Sequence, residues 1–322
     1  MAVYTQVPAE ALVALLARYD VGTLVSAKGI AEGVENSNYL IETTTNRFIL
    51  TLYEKRVAVD DLPFFLALLD HLAAAGLPVP PAIPDREGRM IQEVEGRPAC
   101  LIRFLPGVSL TSPTPAQAHA AAVELGRMHR ALSDFPRKRT NSMGYETWKP
   151  LWQQCGPRLD TITPGLYDDL GFAVGDLVTP WLYEDLEITP IHADLFPDNV
   201  LMLGEKVTGL IDFYFACSDF RIYDLAIMMS AWSFDSTGDR HYRQIEAALI
   251  AGYQQSFPLS DEERQMLYAL ASAACLRFTL SRAWDWLNTP ADALVTRKDP
   301  LAYWRRLKVY DPNFASLTKT LQ

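Results

Sequence analysis

Cysteine is scarce in this chain. Four occur among 322 residues, at Cys100, Cys155, Cys217 and Cys275, far apart and never as Cys-x-x-Cys. That excludes a disulfide framework as the basis of the fold. Basic charge is also in deficit: 29 Lys and Arg stand against 39 Asp and Glu, a net charge of −10. With no basic stripe, a nucleic-acid partner is not expected. Long apolar runs are missing too. The most apolar late segment, residues 267–280, is short and contains Arg277, so it reads as a buried helix and not a membrane span. No basic segment followed by an apolar run opens the chain, so no signal peptide is expected and a cytoplasmic location follows. Internal repeats and low-complexity segments do not occur.

What is present is ordinary soluble-protein composition, with 49% hydrophobic and 21% charged residues. The length suits two domains or one bilobal unit. One pair of stretches organises the rest. The first, Ile-His-Ala-Asp-Leu-Phe-Pro-Asp-Asn-Val-Leu over 191–201, has the form His-x-Asp-x-x-x-x-Asn. The second, Gly-Leu-Ile-Asp-Phe-Tyr-Phe-Ala over 209–216, is an apolar strand closing on Asp212. Phosphoryl transfer asks for a carboxylate that takes the hydroxyl proton, oxygen ligands for Mg²⁺, and alignment. Asp194 is placed for the first task. Asn199 and Asp212 offer the hard oxygens that Mg²⁺ prefers. A strand beginning at Val200, a turn at Gly204 and a return along 207–211 form the hairpin that joins the two metal candidates. His192 reads as a loop support and not a catalytic group. An acidic chain can still bind ATP, because Mg²⁺ and local donors offset the phosphate charge.

His192-Ala-Asp194 with Asn199 and the later Ile211-Asp212-Phe213 resembles the aminoglycoside-phosphotransferase and choline-kinase group. The longer strings IHADLFPDNVLM and GLIDFYFACSDFRIYDLAI resemble the homoserine kinases within it. The resemblance implies an α+β, protein-kinase-like two-lobed fold, with a small antiparallel-sheet N-lobe over 1–105 and a mainly helical C-lobe over 106–322. It implies Asp194 as base, Asn199 and Asp212 as metal ligands, and Asp224 as a structural acid. The reaction implied is ATP- and Mg²⁺-dependent phosphorylation of L-homoserine, which serves threonine synthesis. Choline, a methylthio-sugar or an aminoglycoside are rival acceptors, and a catalytically inactive kinase-shaped binding module is the rival of another class.

The order of elements agrees with that expectation. A helix over 8–19 precedes three strands, over 23–27, 39–43 and 47–53. The polar, glycine-containing loop at 28–38 fits a phosphate cover, with Gly33, Ser37 and Asn38 as candidates. In the third strand Thr51 stands where kinases usually carry lysine, and Phe65 falls where its glutamate partner belongs. Lys55, on the Thr51 face, is a substitute phosphate contact or a solvated strand end. A helix over 61–75 and a hairpin over 90–105 follow. Arg103 and Leu105 are candidate adenine contacts through their main chain, although Pro106-Gly107 is also an ordinary turn. Further helices are expected over 114–132, 148–155, 167–183, 225–232, 240–257 and 260–287. Asp224 reads as an N-cap, and Asp219 and Arg221 as surface residues. Ser260 and Glu263 form a capping box. In the last of these helices Arg277, Arg282, Trp284, Asp285 and Trp286 offer a cation and aromatic faces to an amino-acid substrate. Helix-surface charge with core tryptophans explains them equally well.

Overall fold

A computed structural model describes residues 4–30, 36–54, 58–289 and 297–317. The chain divides into two compact units, one of 1–107 with 208–214, the other of 108–207 with 215–322. The nucleotide candidates Gly33 and Lys55 lie outside the described residues.

The first unit is built on an antiparallel sheet. After α1 (Ala9–Leu16) come β1 (Leu24–Ile30), β2 (Ser37–Thr43) and β3 (Arg47–Leu52). Then follow α2 (Leu62–Ala74), β4 (Gln92–Val94) and β5 (Arg97–Arg103). The sheet order is β1-β2-β3-β5-β4, and β3 meets β5 with Phe48 opposite Arg103 and Thr51 opposite Cys100. Side chains alternate across a strand. Phe48, Leu50 and Leu52 therefore share one face, where they join Leu12, Leu15 and Leu16 of α1 in a buried cluster. Thr51 and Cys100 belong to the other face. Residues 208–214 rejoin this unit, with the Leu210 amide donating to the Pro78 carbonyl at 2.7 Å.

The second unit is mainly helical. It holds β6 (Val108–Ser109), α3 (Pro115–Ala131), α4 (Tyr145–Cys155), α5 (Leu166–Asp176) and α6 (Thr179–Tyr183). Next come β7 (Ile188–Ile191), β8 (Val200–Leu203), and β9 (Lys206–Leu210), which carries the chain into 208–214. The unit resumes with β10 (Cys217–Phe220), α7 (Arg221–Trp232), α8 (Arg243–Ser256), α9 (Asp261–Asn288), α10 (Leu301–Tyr310) and α11 (Pro312–Leu317). Capping boxes start two helices, Thr114 with Gln117 at α3 and Ser260 with Glu263 at α9. The 28-residue α9 packs on α7 and α10. The ring of interactions around it explains its long buried run from Leu270 to Leu280. No described helix is long and apolar enough to cross a membrane.

Two glycines lie where α3 and α8 pack together. A Cβ at Gly252 of α8 would lie 2.3 Å from the His119 carbonyl oxygen of α3, and one at Gly126 of α3 would lie 2.9 Å from the Tyr253 carbonyl oxygen. Neither position has room for a side chain, so α3 and α8 approach through bare backbone.

Candidate active site

A two-stranded ladder prepares the loop that carries Asp194. β7 pairs antiparallel with β10, Ile191 opposite Cys217 and Ile188 opposite Phe220. β7 runs into His192, while β10 runs into α7, which turns back along it. This brings Asp224, in the first turn of α7, to the loop. The Asp224 side chain is fully buried. Its carboxylate accepts from the His192 amide at 2.7 Å and the Ala193 amide at 2.8 Å, and meets His129 Nε2 at 3.1 Å. Burial pushes its pKa upward, but His129 and the loop amides outweigh that and hold the carboxyl below its usual range. Asp224 is not the N-cap expected from sequence, because α7 begins at Arg221, three residues earlier. Phe220 occupies the cap position.

The network runs further than sequence suggests. His129 Nδ1 lies 2.8 Å from the Tyr253 hydroxyl, which accepts from Arg221 Nη1 at 3.3 Å. Arg221 Nη2 donates to Glu263 at 2.6 Å, and its guanidinium covers the Phe257 ring at 3.8 Å. Arg221 and Asp219 were expected at the surface, and both are buried. Asp219 accepts from Asn141 and from the Trp181 indole. A charge enters such a place when partners inside offset its lost hydration. Arg221 also pairs with Glu187 at 3.1 Å, although its Nε and Glu263 Oε1 make no hydrogen bond among the described residues.

Within the loop, Ala193 has φ 63°, a left-handed conformation that side-chain-bearing residues rarely adopt. Its flanks are pinned. The amide is held by Asp224, and the carbonyl accepts from Arg277 Nη1 at 2.6 Å. Arg277, a sequence candidate for acceptor binding, is therefore engaged in holding the backbone. The Leu195 carbonyl accepts from the Trp232 indole at 2.9 Å. His192 is fully buried, and its Nδ1 accepts from the Asp194 amide at 3.3 Å. Asn199 Nδ2 donates to the Asp194 carbonyl at 2.8 Å and approaches its carboxylate at 3.4 Å. Those contacts fix the amide orientation and turn its oxygen away from Asp194, where it can serve a cation. The structure thus gathers His192, Asp194, Asn199 and Asp224 in the second unit. Asp212 lies in the first unit, exposed, with φ 66°.

The other described candidates belong to the first unit, and two do not sit as expected. Ser37 is fully buried, accepts from the Tyr4 and Thr5 amides and donates to Glu54 at 2.8 Å. One donor and two acceptor sites exhaust a hydroxyl, so Ser37 secures β2 in place of meeting a phosphate. The Arg103 amide donates to the Pro81 carbonyl at 3.1 Å and is unavailable to an adenine edge. The Asn38 side-chain oxygen accepts from Thr51 at 2.7 Å, and among the described residues its carboxamide nitrogen makes no hydrogen bond. Leu105 follows the end of β5, half-buried, outside the sheet ladder.

Phe65, where the sequence reading places the usual glutamate, lies among aromatic rings. Phe65 and Tyr214 meet edge to face at 5.8 Å and 89°. Tyr214 also meets Tyr53 edge to face at 5.4 Å, and its hydroxyl donates to the Tyr53 hydroxyl at 3.3 Å. Burial drives both phenols well above their ordinary pKa, so they stay neutral. Phe65 thus belongs to an aromatic packing unit with Tyr53 and Tyr214. Tyr214 was legible only as part of the Asp212 string.

Fold and loop together define a phosphotransferase of protein-kinase-like architecture. A model of the phosphotransferase enzyme family matches residues 26–264. The solved amicoumacin kinase bound to AMP-PNP, Ca²⁺ and Ami superposes with a TM-score of 0.72 at 15% identity, over 96% of this chain and 97% of that one. A microcompartment-associated aminopropanol kinase gives 0.68 at 22% identity, over 96% and 98%. These establish the α+β fold. In sequence, the chain is 50% identical to the homoserine kinase of Zymomonas mobilis over 96% of this chain and 97% of that one. It is 46% identical to the homoserine kinase of Rhizobium meliloti over 96% and 94%. The chain belongs to the homoserine kinases of the phosphotransferase enzyme family.

Proposed function

We propose that this protein transfers the γ-phosphoryl group of ATP to the side-chain hydroxyl of L-homoserine, giving ADP and O-phospho-L-homoserine for threonine synthesis. The observation that carries the reading is identity near one half to curated homoserine kinases across 96% of the chain, with the loop that bears Asp194 intact. Asp194 accepts the hydroxyl proton as the new O–P bond forms and the bond to the bridging oxygen of ADP breaks. Asn199 and Asp212 hold Mg²⁺, an amide oxygen and a carboxylate being the hard donors it takes beside phosphate oxygens. When bound, Mg²⁺ neutralises charge on the transferred phosphate.

The shape of the loop supports these roles. Pinning Ala193 from both sides presents Asp194 in one fixed direction, and Asn199 is oriented by Asp194 itself. Main-chain groups at Leu105 take the adenine edge, and Asn38 with the loop at Gly33 covers the phosphates. Lys55 is retained as a phosphate contact on sequence grounds alone.

The test is an ADP-release assay of purified protein with MgATP over a panel of acceptors: L-homoserine, choline, methylthioribose and kanamycin. Homoserine is expected to exceed every other acceptor in kcat/KM by at least about 100-fold. A preference for any of the other three would overturn the substrate assignment while leaving phosphoryl transfer standing.

A further inference from the structure

Three arginines of α9 and α10 point toward an aromatic group beside the Asp194 loop. Two are committed to backbone. Arg277 holds the Ala193 carbonyl, and Arg306 donates to the Ser230 and Asp235 carbonyls at 2.9 and 2.8 Å. Arg282 differs. Its one protein hydrogen bond among the described residues is a long 3.4 Å contact to the Asp299 carbonyl, and no carboxylate lies within ion-pair distance of it there. It is half-buried, with its guanidinium over the Tyr303 ring at 4.4 Å. Burial lowers its pKa, and the charge of Asp194 is among those acting on it.

The rings connect this cation to the catalytic loop. Phe196, two residues beyond Asp194, meets Phe278 at 4.9 Å and stacks with Tyr303 at 6.3 Å. Phe278 and Tyr303 close the triangle at 4.9 Å. Phe278 is one turn before Arg282 on α9, so both side chains share a face. Lys298 lies over the Phe196 ring at 5.9 Å and adds positive potential. A partly desolvated cation without an anion is costly unless a ligand supplies one. The guanidinium fork matches a carboxylate in a way no other cation does.

We infer that Arg282 binds the carboxylate of the amino-acid acceptor and sets the enzyme's preference for an acceptor that carries one. Phe196, half-buried and backed by the buried Phe278 and Tyr303, receives the short methylene chain and directs the hydroxyl to Asp194. The inference rests on the homoserine reading above and adds the residue that recognises it.

The test compares L-homoserine with 3-amino-1-propanol, the same chain without its carboxylate, in wild type, Arg282→Gln and Arg282→Lys. Thermal unfolding and the KM for ATP serve as folding controls. Arg282→Gln is expected to lower kcat/KM for homoserine roughly 100-fold, mostly through KM, while leaving aminopropanol turnover and the KM for ATP unchanged. Arg282→Lys, which keeps charge but not the fork, is expected to fall between. It carries the test if the glutamine variant does not fold. Equal loss on both acceptors, or an unchanged KM for homoserine, overturns the inference. Wild type that ignores homoserine altogether overturns the substrate reading and this inference with it.

Discussion

Asp224 carries more of the loop's shape than its distance from any substrate group suggests. Its carboxylate holds two consecutive amides, one of them belonging to a residue in a left-handed conformation. Replacing one oxygen by NH₂ sets a donor against a donor in a fully buried place. Asp224→Asn is expected to lower stability by on the order of 3 kcal/mol, read from urea unfolding at pH 7, and to reduce kcat with little change in KM for ATP. The pH dependence has a definite sign. The folded-state pKa lies below the ordinary 3.8, so the stabilisation is complete above the unfolded value and vanishes as pH falls through the folded one. The gap between wild type and variant should therefore narrow only in that acidic window. A constant gap down to pH 2 would remove Asp224's charge from the explanation. At this scale the sequence was half legible. The spacing of Asp194, Asn199 and Asp212 announces its chemistry. The partners of Asp224 do not, since His129 and Tyr253 are respectively 95 and 29 residues away and carry no motif.

Elements were easier to read than their neighbours. Periodic apolar residues mark the main helices of both units, and Ser260 with Glu263 marks the start of α9, as the structure shows. Two things escaped. The helix α10 is short and rich in aromatic and charged residues, and α11 has only six residues, so both have little apolar periodicity to detect. The pairing of β7 with β10 also joins two four-residue strands that are 25 residues apart, and short strands signal weakly. Helix α8 offers the clearest test at this scale. Gly252 lies in a good helical pattern, where alanine would ordinarily stabilise. The 2.3 Å approach of the His119 carbonyl reverses that. Gly252→Ala is expected to destabilise by about 1–3 kcal/mol and to lower the thermal midpoint by several degrees, measured by calorimetry. A raised midpoint would show that α3 and α8 separate without strain.

For the whole molecule, an acidic chain of two compact units combines a sheet-based first unit with a helical second one that carries the Asp194 loop. The substrate was legible only through likeness in long strings, because fold and chemistry do not fix an acceptor. What selects it is carried by side chains such as Arg282, whose neighbours come from α10 and from the Asp194 loop. The most direct test of the account follows the phosphorus itself. Phosphorus NMR of wild-type protein with MgATP and L-homoserine is predicted to show a phosphomonoester rising in step with ADP. The same mixture with Asp194→Ala is predicted to form that signal at least about 10³-fold more slowly while nucleotide still binds. Turnover in the variant equal to wild type, or ADP and inorganic phosphate without a phosphomonoester, would contradict it.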